Sequence, residues 1–315
     1  MSTRSIKDLT KLEPKMTSGH RLCAGCAEGI IARQVLMATD KPVVVANATG
    51  CFEVSTSIYP YTSWKVPWIH TAFGNGAATG AGVEAAYQSL KKQGKIKDDM
   101  RFVSFAGDGA TYDIGLQALS GAMERGHQMM HVCFNNEAYM NTGIQRSSAT
   151  QFGASTTTSP AGTAIPWKAE YSKDMTMIMI AHDIPYAAQA SPHNWRDLIG
   201  KAEKGFECGG PAFLNVISTC PRGWRTPNDS AITMAQLAVQ TCVWPLYEYE
   251  NGKISLTADS ERIATGKQEK KPLMDWFSAQ GRYKHLTKDK YIPLVQTLQE
   301  RLDAKWEKLL KLSKL

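Results

Sequence analysis

Five short apolar runs do most to restrict the folds open to this chain: Pro42–Ala46, Phe102–Ala106, Met129–Phe134, Ile184–Ala190 and Ala212–Ser218. Each is too short for a buried helix and lacks the regular apolar–polar alternation of a half-exposed strand. They read as strands covered on both faces. Segments of helical character separate them: Ala27–Thr39, Gly74–Lys92, Asp113–Arg125, Asp174–His182 and Trp195–Lys204. Strand–helix alternation of this kind predicts an α/β domain on a parallel sheet, with helices on both faces.

The pattern changes after residue 225. Asp229 and Ser230 are expected to cap a helix running to about Cys242. Leu246–Glu250, Asn251-Gly252 and Lys253–Thr257 read as a β-hairpin closed by a type I′ turn. Val295, Leu298, Leu302, Trp306 and Leu309 recur at helical spacing and predict one amphipathic helix. Two regions are therefore expected, an α/β domain over residues 1–225 and a C-terminal extension over 226–315. The extension would pack on the same domain or on a partner. Between the third and fourth apolar runs, Gln145–Pro166 is rich in Ser, Thr, Gly and Pro, and a loop of that length is usually functional or mobile.

Charge narrows the class of partner. The chain carries 36 Lys+Arg against 29 Asp+Glu, and from Gly266 onward the count is 12 against 6. The rest is nearly neutral, at 24 against 23, which disfavours nucleic-acid recognition along the whole surface. The basic tail suits an acidic partner or a solvated helix face. No apolar run reaches the ~18–20 residues needed to span a bilayer, and the polar leader Met1–Lys15 does not resemble a secretory signal. Seven cysteines, an odd number with no signal peptide, argue against a disulfide framework and for a reducing cytoplasm.

Gly107-Asp108-Gly109 ends the second apolar run, and Asn135-Asn136 ends the third, with 25 residues between Gly109 and Asn135. Two parallel strands joined by a crossover helix bring their C-terminal ends side by side. Asp108 and Asn136 should thus emerge together at the edge where open α/β sheets bind ligands. A carboxylate, an amide oxygen and a backbone carbonyl suit Mg²⁺, which completes its shell with substrate phosphates and water. Bare backbone at Gly107 and Gly109 would admit a diphosphate.

Cys23 and Cys26 form a CxxC before the first helix, Cys51 follows the first strand and Cys220 follows the last. Four thiolates suit either an iron–sulfur cluster or structural zinc. Zinc usually takes two close pairs, whereas here 24 and 168 residues separate the third and fourth cysteines from their predecessors. Cys133 reads as a buried core thiol, and Cys208 and Cys242 have no partner in the pattern. A zinc-stabilised binding module is the competing reading.

Gly107-Asp108-Gly109 followed by Asn135-Asn136 resembles the diphosphate-binding motif of thiamine diphosphate enzymes. Together with GHRLCAGCAEGI, NATGCFEVSTSIYPYTSWKVPWIH, NNEAYMNTGIQRS and TCPRGW, it resembles the β subunit of the pyruvate:ferredoxin oxidoreductase and 2-oxoacid:ferredoxin oxidoreductase family over roughly residues 18–255. The resemblance implies a thiamine diphosphate site with Mg²⁺ held by Asp108, Asn136 and the Ala138 carbonyl. It implies one 4Fe–4S cluster on Cys23, Cys26, Cys51 and Cys220. Gly50 and Cys51 should lie near the cofactor, and Asn141 near the reacting intermediate as a catalytic residue.

The implied reaction is oxidative decarboxylation of a 2-oxoacid, with pyruvate and coenzyme A as the default substrates and ferredoxin as electron acceptor. Oxalate, 2-oxoglutarate, branched-chain and aryl 2-oxoacids remain open. Gln151 stands where the family more familiarly has Pro. The chain carries neither a second thiamine-type domain nor a ferredoxin-like cysteine run. The implied partners are therefore a pyrimidine-binding α subunit supplying an activating Glu, a γ subunit and a ferredoxin-domain subunit, or fusions of these. The chain is expected to be inactive alone. His20 could flank the cluster, Arg146 and Ser147 could line the cofactor, and Arg222 and Arg225 could offset cluster charge. His70 is expected in a loop, His131 as a satisfied core histidine, and Trp64 and Trp68 in the core or an interface.

Overall fold

The apolar runs form the centre of an eight-stranded sheet. The computed structural model describes residues 4–164 and 166–314; Met1–Thr3 of the leader, Ile165 of the long loop and the final Leu315 lie outside the described residues. In chain order the strands are β1 (Val43–Ala48), β2 (Trp68–Thr71), β3 (Arg101–Gly107), β4 (Met130–Asn135), β5 (Tyr186–Ala190), β6 (Ala212–Ile217), β7 (Tyr247–Glu250) and β8 (Lys253–Leu256). Their spatial order is β2-β1-β3-β4-β6-β5-β7-β8. The first six are parallel, and β7 and β8 add an antiparallel edge. β4, β5 and β6 are buried along their whole length, which explains their lack of alternation.

Helices cover both faces. On one side Ile31 and Val35 of α2 (Glu28–Leu36) and Leu198 and Ile199 of α7 (Trp195–Glu207) pack on Val45, Val103, Val132 and Leu214. On the other, α4 (Gly76–Lys92), α5 (Leu116–Glu124) and α6 (Met175–Ile180) meet Phe102, Cys133 and Phe213. Two further helices are short: α1 (Ile6–Leu9) in the leader and α3 (Cys51–Thr56) after β1.

The hairpin forms as expected: Asn251 and Gly252 have φ of 48° and 88°, the left-handed pair a type I′ turn demands. It joins the main sheet, β7 pairing with β5. After β6 comes the short helix α8 (Pro221–Trp224), and the extension adds α9 (Ala231–Gln240), α10 (Ala258–Ala264), α11 (Leu273–Ser278) and α12 (Ile292–Leu312). Val295, Leu298, Trp306 and Leu309 of α12 are buried as its periodicity predicts. A third cluster, with Trp224, Trp276, Phe277 and Tyr283, seats the extension against Ile217 at the end of β6.

Several local expectations are corrected. Ser230 precedes α9 but caps nothing with its side chain; its hydroxyl instead donates to the Pro227 carbonyl at 2.6 Å. The helix expected from Asp113 is preceded by a π-helical turn, Gly109–Asp113, and α5 starts at Leu116. Trp68–Thr71, expected as loop, is the edge strand β2, so His70 lies on a strand and its Nε2 meets Thr49 Oγ1 at 2.7 Å. Among the described residues no helix is long and apolar enough to cross a membrane.

Candidate functional site

The sheet order locates the site. From β1 the chain moves outward to β2, then returns to place β3 on β1's other side. The crevice beyond the C-terminal ends of β1 and β3 is therefore a topological switch point, where open α/β sheets bind ligands. Gly50 and Cys51 follow β1, Asp108 follows β3 and Asn136 follows β4. Gly107 pairs with Phe134 across the ladder, so the two motifs end level with one another. A cleft here is lined by Gly50, Cys51, Gly107, Asn136, Ala138 and Asn141, all singled out by the sequence.

Asp108 is fully buried. Its carboxylate accepts the Asn136 backbone N–H at 3.3 Å and a very short hydrogen bond from the Ser147 hydroxyl. Burial pushes its pKa up to about 8, against the pull of Ser147. The two glycines have different reasons to be bare. A Cβ at Gly107 would meet nothing within 4 Å, whereas one at Gly109 would stand 2.4 Å from the Tyr139 ring. The Tyr139 hydroxyl donates to Asp113 at 3.0 Å, which anchors the segment leading to Asn141. Gly109 is thus required by packing inside the chain, while Gly107 keeps open space beside the cleft.

Two residues passed over by sequence reasoning complete the wall. Glu28, at the first turn of α2, is buried, and one of its oxygens accepts from Asn136 Nδ2 at 3.3 Å. Burial raises its pKa to about 7, and its second oxygen has no partner. Its position two residues past the CxxC was the available signal. Asn47 on β1 is buried with its amide nitrogen likewise unpartnered. Both line the cleft, so two orphaned polar groups face space suited to a polar ligand.

The four expected cluster cysteines come from three remote parts of the chain. Cys26, Cys51 and Cys220 each feel the charge of others in the set, and Cys23 acts on both Cys51 and Cys220. Burial, then nearby Glu28, pushes Cys26 and Cys51 well above the usual thiol range. Burial raises Cys220, whose sulfur accepts the Gly223 N–H at 3.4 Å. Among the described residues no three His, Cys, Asp or Glu side chains stand close enough to hold a metal ion as they are. The donor chemistry nonetheless fits a 4Fe–4S core, which takes four cysteine sulfurs and whose irons would let these buried thiols deprotonate.

The remaining expectations divide. Ser147 supports Asp108, whereas the Arg146 backbone N–H only closes the loop onto Thr158 at 3.0 Å. His20 packs beside Gly29 on α2. Trp64 and Trp68 stack at 6.0 Å, and Trp64 lies in the core. Cys133 is fully buried as expected, and Cys208 and Cys242 stand apart from the set. His131 is only half satisfied: Nε2 meets Thr111 Oγ1 at 3.1 Å while Nδ1 is bare. Gln151 accepts from Ser172 at 3.2 Å and lines a separate cavity of about 280 Å³ beneath α12, away from the cleft.

Residues 48–216 match the family model for the thiamine pyrophosphate enzyme C-terminal TPP binding domain, which covers the strands that carry this site. The chain is 48% identical over 295 residues to pyruvate synthase subunit PorB of Methanocaldococcus jannaschii, covering 93% of this chain and 95% of that one. It is 46% identical to PorB of Thermotoga maritima over 97% of this chain and 94% of the relative. It is also 41% identical to ketoisovalerate oxidoreductase subunit VorB of Pyrococcus furiosus over 96% and 94%. The fold resembles a solved 2-oxoglutarate:ferredoxin oxidoreductase from Magnetococcus marinus, with a TM-score of 0.54, 19% identity and coverage of 75% of this chain and 81% of that one. The chain belongs to the β-subunit family of the thiamine diphosphate-dependent 2-oxoacid:ferredoxin oxidoreductases.

Proposed function

We propose that this β subunit serves the oxidative decarboxylation of pyruvate, with coenzyme A as acyl acceptor. Pyruvate, coenzyme A and two oxidised ferredoxins would give acetyl-CoA, CO₂, two reduced ferredoxins and a proton. The observation that carries the reading is the meeting of Asp108 and Asn136 at one sheet edge, beside a cleft lined by Gly50 and Cys51, in a chain 46–48% identical to PorB subunits. Bound thiamine diphosphate would supply the carbanion chemistry at the substrate carbonyl. Asp108, the Asn136 side chain and the Ala138 carbonyl would hold Mg²⁺ and orient the diphosphate over open Gly107. Gly50, Gly109 and Asn141 would line the cofactor, with Asn141 facing the reacting carbon. Cys23, Cys26, Cys51 and Cys220 would hold a 4Fe–4S cluster beside it and pass electrons outward. Glu28, between the two, would offer its unpartnered oxygen to the cofactor.

The pyrimidine side of the cofactor, including the activating Glu, would come from an α subunit, with γ and ferredoxin-domain subunits completing a cytoplasmic complex. Residues 226–315 would act as an extension of the 1–225 domain. The test is anaerobic purification of the assembled complex and assay of viologen reduction against a 2-oxoacid panel. Pyruvate- and coenzyme A-dependent reduction, abolished together with thiamine diphosphate binding by Asp108→Ala, is expected. Preference for a branched-chain or other 2-oxoacid would replace the substrate assignment. Unchanged cofactor binding in Asp108→Ala would overturn the Mg²⁺ assignment, and a colourless zinc protein would overturn the cluster.

A further inference from the structure

The C-terminal extension reaches the site through one side chain. Glu137, between Asn136 and Ala138, is fully buried and has φ of 66°, a conformation non-glycine residues hold only when their surroundings impose it. Its carboxylate lies 2.6 Å from Nη2 of Arg282, which is itself only 2% exposed. The pair is a charge contact without an aligned hydrogen bond, and both Glu137 oxygens lack any other partner. The same guanidinium stands 4.3 Å from the centroid of the Trp224 ring. Trp224 donates its indole N–H to the Asn136 carbonyl at 2.8 Å, and its own backbone N–H to the Cys220 carbonyl at 2.9 Å. Arg282 is fixed from behind, donating to Gln280 at 2.8 Å while its carbonyl accepts the Ser155 N–H at 3.0 Å. One cation thus touches the segment 136–138 directly and the Cys220–Trp224 turn through the ring that links the two.

We propose that Arg282 is a positioning residue for both halves of the site, clamping the Asn136–Ala138 segment against the turn that carries Cys220. A buried ion pair is a poor source of net stability, since desolvation offsets most of its attraction. What the pair supplies here is orientation: the charge contact holds Glu137 and its two neighbours in the left-handed bend, and the ring contact sets the distance to the Cys220 turn. The inference rests on the reading of Asn136 and Ala138 as Mg²⁺ ligands and of Cys220 as a cluster ligand.

The experiment uses the assembled complex and three variants: Arg282→Met, Arg282→Lys and the neutral pair Glu137→Gln/Arg282→Met. Three quantities are read: thiamine diphosphate dissociation constant at fixed Mg²⁺ by equilibrium dialysis, the EPR spectrum of the dithionite-reduced cluster, and melting temperature. Arg282→Met is expected to weaken cofactor binding at least tenfold and to shift the EPR signal. Arg282→Lys, which keeps the charge without the planar fork, should show a smaller loss of the same kind. The neutral pair should regain the melting temperature but neither the affinity nor the spectrum. Wild-type affinity and spectrum in the neutral pair would overturn the proposal, leaving Arg282 as charge compensation for Glu137 alone. Asp108→Ala and Cys220→Ser are run alongside. If they leave cofactor binding and iron content unchanged, the underlying site reading has failed; if they behave as expected while the Arg282 variants match wild type, only the clamp has failed.

Discussion

His131 should make the fold acid-sensitive in a way that one substitution removes. It lies fully buried on β4, its ring parallel to Phe213 at 6.1 Å. The Thr111 hydroxyl donates to the Gly107 carbonyl at 2.8 Å, so the contact from His131 Nε2 to that hydroxyl must carry the imidazole hydrogen. Nδ1 is then a bare acceptor with no partner, and protonating it would bury a cation with nothing to receive its new hydrogen. Burial accordingly lowers the pKa to about 3. An unfolded histidine titrates near 6.5, so between these values the unfolded chain binds a proton that the folded chain refuses. The contribution is fully present above pH 6.5 and is lost as pH falls towards 3, at about 1.4 kcal/mol per unit.

From pH 7.5 to 5.0 this amounts to about 2 kcal/mol. His131→Gln keeps a donor for Thr111 and removes the titration. Urea unfolding of both proteins at the two pH values, followed by tryptophan fluorescence under anaerobic conditions, cancels the carboxylates common to both. Wild type should lose about 2 kcal/mol more than the variant on acidification. An equal pH dependence, or a His131 resonance titrating near 6.5, would refute the bare-nitrogen argument. The consequence reaches the site because the His131–Thr111 contact supports the strand end that presents Gly107.

Other outcomes follow from single positions. Gly109→Ala drives a methyl into the Tyr139 ring and should cost about 1–3 kcal/mol in thermal or urea unfolding, with weaker thiamine diphosphate binding. Gly107→Ala has free space on the chain's own side and should leave the melting temperature within a few degrees while impairing cofactor affinity, since the methyl enters the cleft. Lys201→Met strands Asp197, both residues being 2% exposed and 2.7 Å apart, and should cost about 3–5 kcal/mol by urea denaturation. Iron analysis separates the thiols: Cys208→Ser should retain the full iron content, whereas Cys220→Ser should lose it.

Much of the scaffold was legible because its signals are local. Continuous apolar runs marked five of the six parallel strands, and Asn251-Gly252 marked the hairpin turn. The spacing of Asp108 and Asn136 implied their meeting, because a crossover between adjacent parallel strands leaves little freedom at the strand ends. β2 was missed because four residues, Trp68–Thr71, with two of them exposed, carry neither an apolar run nor a clean alternation. Pairing with β1 alone makes them a strand. α9 formed where expected but not by the expected cap, because its buried face, including Met234, Ala235 and Ala238, holds it in place.

By itself the sequence determined the α/β class, the sheet edge where Asp108 and Asn136 meet, and the residues here proposed to hold a cofactor. These depend on periodicity and on short motifs, which act over a few residues. Tertiary structure alone decided that Glu28 meets Asn136 at the cleft wall, that the Tyr139 ring demands Gly109, and that Gln151 faces another cavity. It also brought Arg282 to Glu137 across 144 intervening residues. No local pattern encodes such a meeting: a buried charge is tolerable only beside its counter-charge, and which counter-charge lies beside it is fixed when the extension packs onto the sheet.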